Sequence, residues 1–207
     1  MAKLRRDLPI VAFKSQQAFD AWLTSQRADS RGLWLKIARK SSGIASVSRD
    51  EAVDTALCHG WIDGQLDSFD GDYWLIRFTP RQSTSIWSEK NRARSLELVK
   101  LNVMRASGLR EIDRAKADGR WERAYAGAST ATVPDDLRAA LARNKKAAAF
   151  FETLDAKNRY AILHRTHNAK KAETRAARIA RFVAMLAKGE TIHPQKAPKP
   201  KTKQVKK

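Results

Sequence analysis

Between Trp61 and Asn91 the chain collects side chains suited to holding an anion: Trp61, Asp63, Arg77, Arg81, Ser83, Ser85, Trp87, Ser88 and Asn91. Arginine offers a fork of donors that matches a carboxylate or a phosphate. Hydroxyls placed before a helix start lie beside free backbone amides and the positive end of the helix dipole. The segment therefore has the ingredients of an oxyanion cradle, a Trp/Arg/Ser groove for an anionic small molecule or a peptide carboxylate. A purely structural reading uses the same residues: Ser88 caps a helix while Arg77 and Arg81 pair with Asp63, Asp67 or Asp72 across a hairpin. Asp63 also has two readings. Aromatic surroundings would raise its pKa and suit it to general acid or base work, whereas Gly64 beside it favours a turn aspartate bonded to its own backbone.

Other constellations are thinner. Cys58 and His59 have the types of a nucleophile and its base, but adjacent residues on a helix point in different directions. His164 and His167 share a helix face with no carboxylate within one turn, which argues against a metal site. Lys170, Lys171, Arg175, Arg178 and Arg181 recur along one side of a helix and could meet nucleic acid or stay solvated. The sequence has no glycine-rich phosphate loop, dinucleotide fingerprint or zinc-finger spacing, so no cofactor is implied.

The elements that must position these groups are legible from local signals. Pro9 within Leu8–Phe13 indicates an edge strand. Ser15 caps a helix running to about Arg27 with Phe19, Trp22 and Leu23 on its buried face. Leu33, Leu35 and Ile37 alternate as in a strand buried on one face. Ser48 and Glu51 have capping-box spacing for a helix that Gly60 closes. Trp61–Ser68 and Tyr73–Thr79 then form a hairpin about 69–72 that Pro80 stops. Helices follow over 89–104, 108–117, 134–143, 145–154, 156–167 and 171–188, with Ser88, Ser107, Asn144 and Asp155 before their starts. The fold class is α+β: an N-terminal region of helices and a small antiparallel sheet over 13–125, a helical C-terminal region over 133–189, and a Lys/Pro tail over 193–207 that is expected to be disordered.

The whole chain sets broader limits. With 207 residues it can bury a core without disulfide or metal, and its single cysteine excludes an internal disulfide framework. No apolar run has the length of a membrane span, and the start lacks a signal-peptide core, so a cytoplasmic location is expected. Of the formal net charge of +19, thirteen charges fall within the last 87 residues, which leaves the Trp/Arg segment nearly balanced. A basic surface of that kind raises encounter rates with nucleic acid or anionic membranes.

Several ordered pieces resemble the YdeI/OmpD-associated, or bacteriocin-protection, family. They are Gly32–Lys36, Glu51-Ala52 with Ala56–Cys58, Gly60–Gly64, Arg77–Arg81, Ser85–Ser88 with Asn91, Gly119–Trp121 with Ala124-Tyr125, and Ala169-Lys170, Glu173–Arg175 and Arg178-Ile179. The resemblance spans about Phe13 to Gly189, and His59 departs from the aromatic residue expected at its position. It implies a bacterial protein linked to envelope stress and resistance to bacteriocins, with no established reaction, cofactor or catalytic residue to transfer.

Three functions follow as expectations. The first is a stress-associated protein holding an anionic ligand or partner through Trp61, Asp63, Arg77, Arg81, Ser85, Trp87, Ser88 and Asn91. The second is nucleic-acid or anionic-surface binding through the basic helices and tail, and the third is an enzyme using Asp63. The second predicts that DNA retardation in a gel falls steeply with salt and with deletion of residues 193–207. No retardation at low salt would remove it.

Overall fold

Short-range capping and turn chemistry sets most element boundaries in the computed structural model, which describes residues 7–27 and 29–195. The chain divides into two compact units, Met1–Ala124 and Tyr125–Lys207.

The first unit is built on a four-stranded sheet of order β1-β2-β4-β3, from β1 (Ile10–Ala12), β2 (Leu33–Ala38), β3 (Trp61–Ser68) and β4 (Tyr73–Pro80). The strands β2, β4 and β3 pair antiparallel, as expected, but β1 pairs parallel to β2. The reason is α1 (Gln16–Thr24), which returns the chain so that both strands run the same way. Ser15 caps α1 by accepting from the Ala18 amide at 3.3 Å.

Leu33, Leu35 and Ile37 of β2 stand opposite Phe78, Ile76 and Trp74 of β4. With Phe19 and Leu23 of α1 and Ala52 and Ala56 of α2 (Arg49–Cys58) they form the main core. Aromatic edges knit it together: Phe19 lies 5.6 Å from Phe78, and Trp22 lies 5.8 Å from Trp61. The alternation in β2 predicts one buried face, yet Trp34 is only 1% exposed. It packs with Leu8 and Leu75 on the opposite face, so a second apolar cluster covers the centre of that side.

Ser48 and Glu51 make both bonds of the capping box. The Glu51 amide donates to Ser48 Oγ at 3.3 Å, and the Ser48 amide donates to Glu51 Oε2 at 2.8 Å. The bond donated by the Ser48 amide, with a smaller contribution from the Ser48 hydroxyl, holds the Glu51 carboxyl below the usual range. Gly60 ends α2 at φ +76°, and Gly119 follows α4 (Ala106–Ala117) at φ +73°.

Several boundaries differ from the sequence reading, beginning with α1, which ends at Thr24 rather than about Arg27. The helix α3 (Glu89–Lys100) stops before Met104 because Asn102 adopts φ +57°. The Asn102 amide donates to Val99 O and the Val103 amide to Leu98 O, the two bonds of a Schellman ending. The helix α4 begins at Ala106 rather than behind Ser107. Its N-cap, Arg105, donates its amide to Cys58 O at 3.1 Å, so packing against the end of α2 sets the start.

In the second unit, α5 (Asp135–Ala142), α6 (Lys145–Glu152), α7 (Ala156–His167) and α8 (Ala172–Ala187) enclose Leu137, Leu141, Phe151, Ile162, Ile179, Phe182 and Leu186. Pro134 stands at the N-cap of α5, one position before the first turn, while Asn144 and Asp155 cap α6 and α7 as their types predict. The predicted disordered tail begins too early. The His193 amide donates to Asn158 Oδ1 at 2.8 Å and Asn158 Nδ2 to His193 O at 3.1 Å, which satisfies a fully buried asparagine. Gln195 Oε1 accepts from the Asp155 amide at 3.0 Å. The expectation for 196–207 lies outside the described residues.

The capping box makes a local prediction. Ser48→Ala removes the acceptor at the start of α2 and should lower unfolding free energy by about 1 kcal/mol in urea titration. An unchanged midpoint would show that the box contributes nothing.

Candidate functional site

The expected site residues do not meet at one place. Asp63 is paired across the sheet with Phe78, and Arg77, one residue earlier on β4, is paired with Trp34. Alternate residues of a strand point to opposite faces, so Asp63 shares the α2 side and Arg77 faces the Trp34 side. There Arg77 Nε and Trp34 Nε1 are buried without a hydrogen-bond partner. Asp63 instead accepts from Arg49 Nη2 and Asn91 Nδ2, each at 3.4 Å. Asp63 and Asn91 line a hollow of about 290 Å³ together with Arg49, Lys90 and Arg94. Arg94 is tied there to Asp54 at 2.6 Å.

The hydroxyls serve local structure. Ser88 Oγ accepts from the Asn91 amide at 3.1 Å and caps α3. Ser85 Oγ accepts from the Gln82 amide at 2.9 Å and closes a turn, while Ser85 O accepts from Arg120 Nη1 at 2.7 Å. That turn brings the chain back under Arg81. The Arg81 guanidinium lies 3.5 Å above the Trp87 ring and donates to Ile86 O at 3.3 Å, and Trp87 meets Trp121 edge-on at 4.8 Å. Arg81 is only 5% exposed. Stacking on an aromatic face suits the weakly hydrated, planar guanidinium and holds it in one orientation.

Arg81 and Trp61 do share a cleft of about 550 Å³. Its walls come from the end of α1, the α2–β3 junction, the end of β4 and the first turns of α4, and they supply Arg27, Arg105 and Arg110 besides Arg81. Glu111 is the carboxylate on the wall, and it is ion-paired with Arg114. His59 lines the cleft too, with Nε2 2.8 Å from Asp20 Oδ1, and Arg105 Nη2 reaches Asp20 Oδ2 at 3.0 Å. Burial works against ionisation of Asp20, but the His59 hydrogen bond and the charges of His59 and Arg105 outweigh it and hold the carboxyl below the usual range.

Sequence reasoning missed Arg27, Arg105 and Arg110, which lie outside the Trp-rich stretch. The available signal was Arg105-Ala106-Ser107-Gly108 with Arg110, two cations around a small-residue helix start.

The remaining candidates are occupied differently. His59 is committed to Asp20, and burial, followed by the nearby Asp54 and Asp20 charges, pushes the Cys58 thiol up to about 11. Adjacent in sequence, the two do not form a nucleophile and base. His164 stacks edge-on against Tyr125 at 4.7 Å, and burial, then His167 and Arg165, depress its pKa. Among the basic residues, Arg175 Nη1 donates to Thr166 O at 3.0 Å and Arg178 Nη1 to Arg165 O at 2.7 Å, both satisfying carbonyls at the end of α7. Arg175 also grips Asp136, with Nη2 to Oδ1 at 2.9 Å. Lys170, Lys171 and Arg181 are exposed.

Comparison with known families separates the two units. Residues 130–189 match the family described as bacteriocin-protection, YdeI or OmpD-associated, and residues 11–111 match a domain of unknown function, DUF8412. The resemblance drawn from the whole chain is thus carried by the C-terminal helices, while the sheet unit matches a different family. The chain matches no curated protein and no solved structure. Among the described residues no helix is long and apolar enough to cross a membrane.

The raised thiol predicts slow chemistry at Cys58. Its neutral form dominates below about pH 11, so iodoacetamide should label the folded protein at pH 8 far more slowly than the urea-unfolded chain, as read by mass spectrometry. Equal rates would show an exposed or activated thiol.

Proposed function

We propose that this chain, which carries a domain of the bacteriocin-protection, YdeI or OmpD-associated family at residues 130–189, is a stress-associated binding protein that holds an anionic small molecule in the arginine-lined cleft of its first unit. The observation that carries this reading is the cation content of that cleft: four arginines line it against one carboxylate, Glu111, which is already paired with Arg114, while Arg105 and Arg27 also reach Asp20 and Asp29 beyond the lining. A carboxylate or phosphate entering the cleft meets fork-shaped donors that fit it at two oxygens. Arg81 loses little freedom on binding because Trp87 and Ile86 O already orient it. Trp61 and Leu23 offer apolar surface to the uncharged part of the ligand.

This reading retains Trp61 and Arg81 from the sequence candidates and replaces Arg77, Ser85, Ser88 and Asn91 with Arg27, Arg105 and Arg110. An enzyme centred on Asp63 would work in the other hollow, where Arg49 and Asn91 already engage that carboxylate.

Titration calorimetry with inorganic phosphate, citrate and a short peptide carboxylate tests the cleft. We expect saturable binding of at least one anion, weakened about tenfold by Arg27→Ala with Arg110→Ala and by raised salt. Arg77→Ala and Asp63→Asn should leave it unchanged. No binding by the wild type, or equal binding by the double variant, overturns the cleft. Loss on Asp63→Asn alone moves the site to the smaller hollow.

A further inference from the structure

The cleft and a second hollow of about 430 Å³ have Arg105 in common, while Asp20 lines only the second and His59 only the cleft. Asp20 belongs to α1, His59 to the end of α2 and Arg105 to the N-cap of α4, and their side chains form a clasp. His59 Nε2 lies 2.8 Å from Asp20 Oδ1, and Arg105 Nη2 reaches Asp20 Oδ2 at 3.0 Å. The two ends of the clasp differ in freedom. The His59 side chain is only 8% exposed, whereas that of Arg105 is 57% exposed. Backbone bonds from the Arg105 amide to Cys58 O and from the Leu109 amide to Arg105 O fix where that side chain starts, so its guanidinium is the part that can turn. Of the other charges lining the second hollow, Asp54 and Arg94 are already joined to each other at 2.6 Å.

An anion that uses Arg105 must therefore compete with a carboxylate that the protein itself supplies. Arginine grips a carboxylate or phosphate best with two N–H groups at once, and here Asp20 already engages one of them. Asp20 stays ionised at neutral pH, so it also repels an incoming anion. Exchange is open because of His59. When the Arg105 guanidinium turns to a ligand, Asp20 keeps its bond to the buried imidazole, and no partly buried carboxylate is left unpaired. Resting on the anion-binding reading of the cleft, we propose that Asp20 is an internal competitor for Arg105 and sets the affinity of that site. An entering carboxylate or phosphate takes Arg105 over from Asp20, and His59 retains Asp20 while the ligand is bound.

Titration calorimetry of the full chain with inorganic phosphate and citrate tests the competition. Asp20→Asn keeps the shape of the side chain and an acceptor for Arg105 and His59 but removes the charge, and it should bind these anions about three- to tenfold more tightly than wild type. A residue that merely braced the cleft would lose affinity on the same change. Arginine Nε–Hε resonances in heteronuclear NMR give a second readout that does not depend on a variant at position 20. The Arg105 signal, identified by its absence from the Arg105→Ala spectrum, should shift as phosphate saturates the wild type, while the Arg77 signal, from the Trp34 face, should not. Equal or weaker binding by folded Asp20→Asn, or an Arg105 signal that phosphate leaves in place, overturns the competition while wild-type binding keeps the cleft standing. Binding by neither protein brings down the cleft and the competition with it.

Discussion

The end of α2 meets the start of α4 so closely that side chains are excluded from the contact, and the first unit's cleft depends on that approach. A Cβ on Gly108 would lie 2.4 Å from Cys58 O, and one on Gly60 would lie 2.9 Å from Ser107 O. With both positions glycine, Cys58 O accepts the Arg105 amide and Gly60 O accepts the Arg81 amide. The negative end of one helix dipole abuts the positive end of the next, and helix-end groups that would otherwise be unpaired are satisfied. The same contact places His59, Arg81, Arg105 and Arg110 around one hollow.

Electrostatics in this unit is divided by the sheet and by α2. Asp63 and Arg94 belong to a hollow where acids and bases are largely matched, with Asp54 and Arg49 supplying the partners. The arginine-lined cleft draws carboxylates for Arg105 and Arg27, Asp20 and Asp29, from outside its lining, and one of its cations is buried on an indole. Burying a guanidinium costs solvation, and the Trp87 face and the Ile86 carbonyl return part of it while leaving Arg81 at the cleft wall. Arg77, the candidate that seemed equivalent to Arg81 in sequence, lies on the Trp34 face. Four positions along the chain, with β4 ending between them, suffice to separate the two.

Most of the fold was legible because its signals are local. The Ser48–Glu51 box, the caps at Ser15, Ser88, Asn144 and Asp155, the hairpin around 69–72 and the glycine stops each involve residues within one turn of each other. Errors came where a distant element intervened. Trp34 is buried by Leu8 and Leu75, α4 starts where α2 ends, and His193 is anchored by Asn158. The candidate site was legible only in part, since Trp61 and Arg81 reach the cleft and Ser85 and Ser88 serve the backbone.

By itself the sequence determined the α+β class, the order of the helices and strands, and the side-chain caps that begin α1, α2, α3, α6 and α7. These depend on side chains acting on their own or neighbouring backbone, which leaves a fixed spacing in the chain. Only the tertiary structure decided that Asp63 and Arg77 face opposite sides, that Arg27, Arg105 and Arg110 join Arg81, and that Asp20 meets both His59 and Arg105. A cleft is formed by surfaces that approach across the fold, and its composition follows from which helix ends can come close, a condition met here by two glycines.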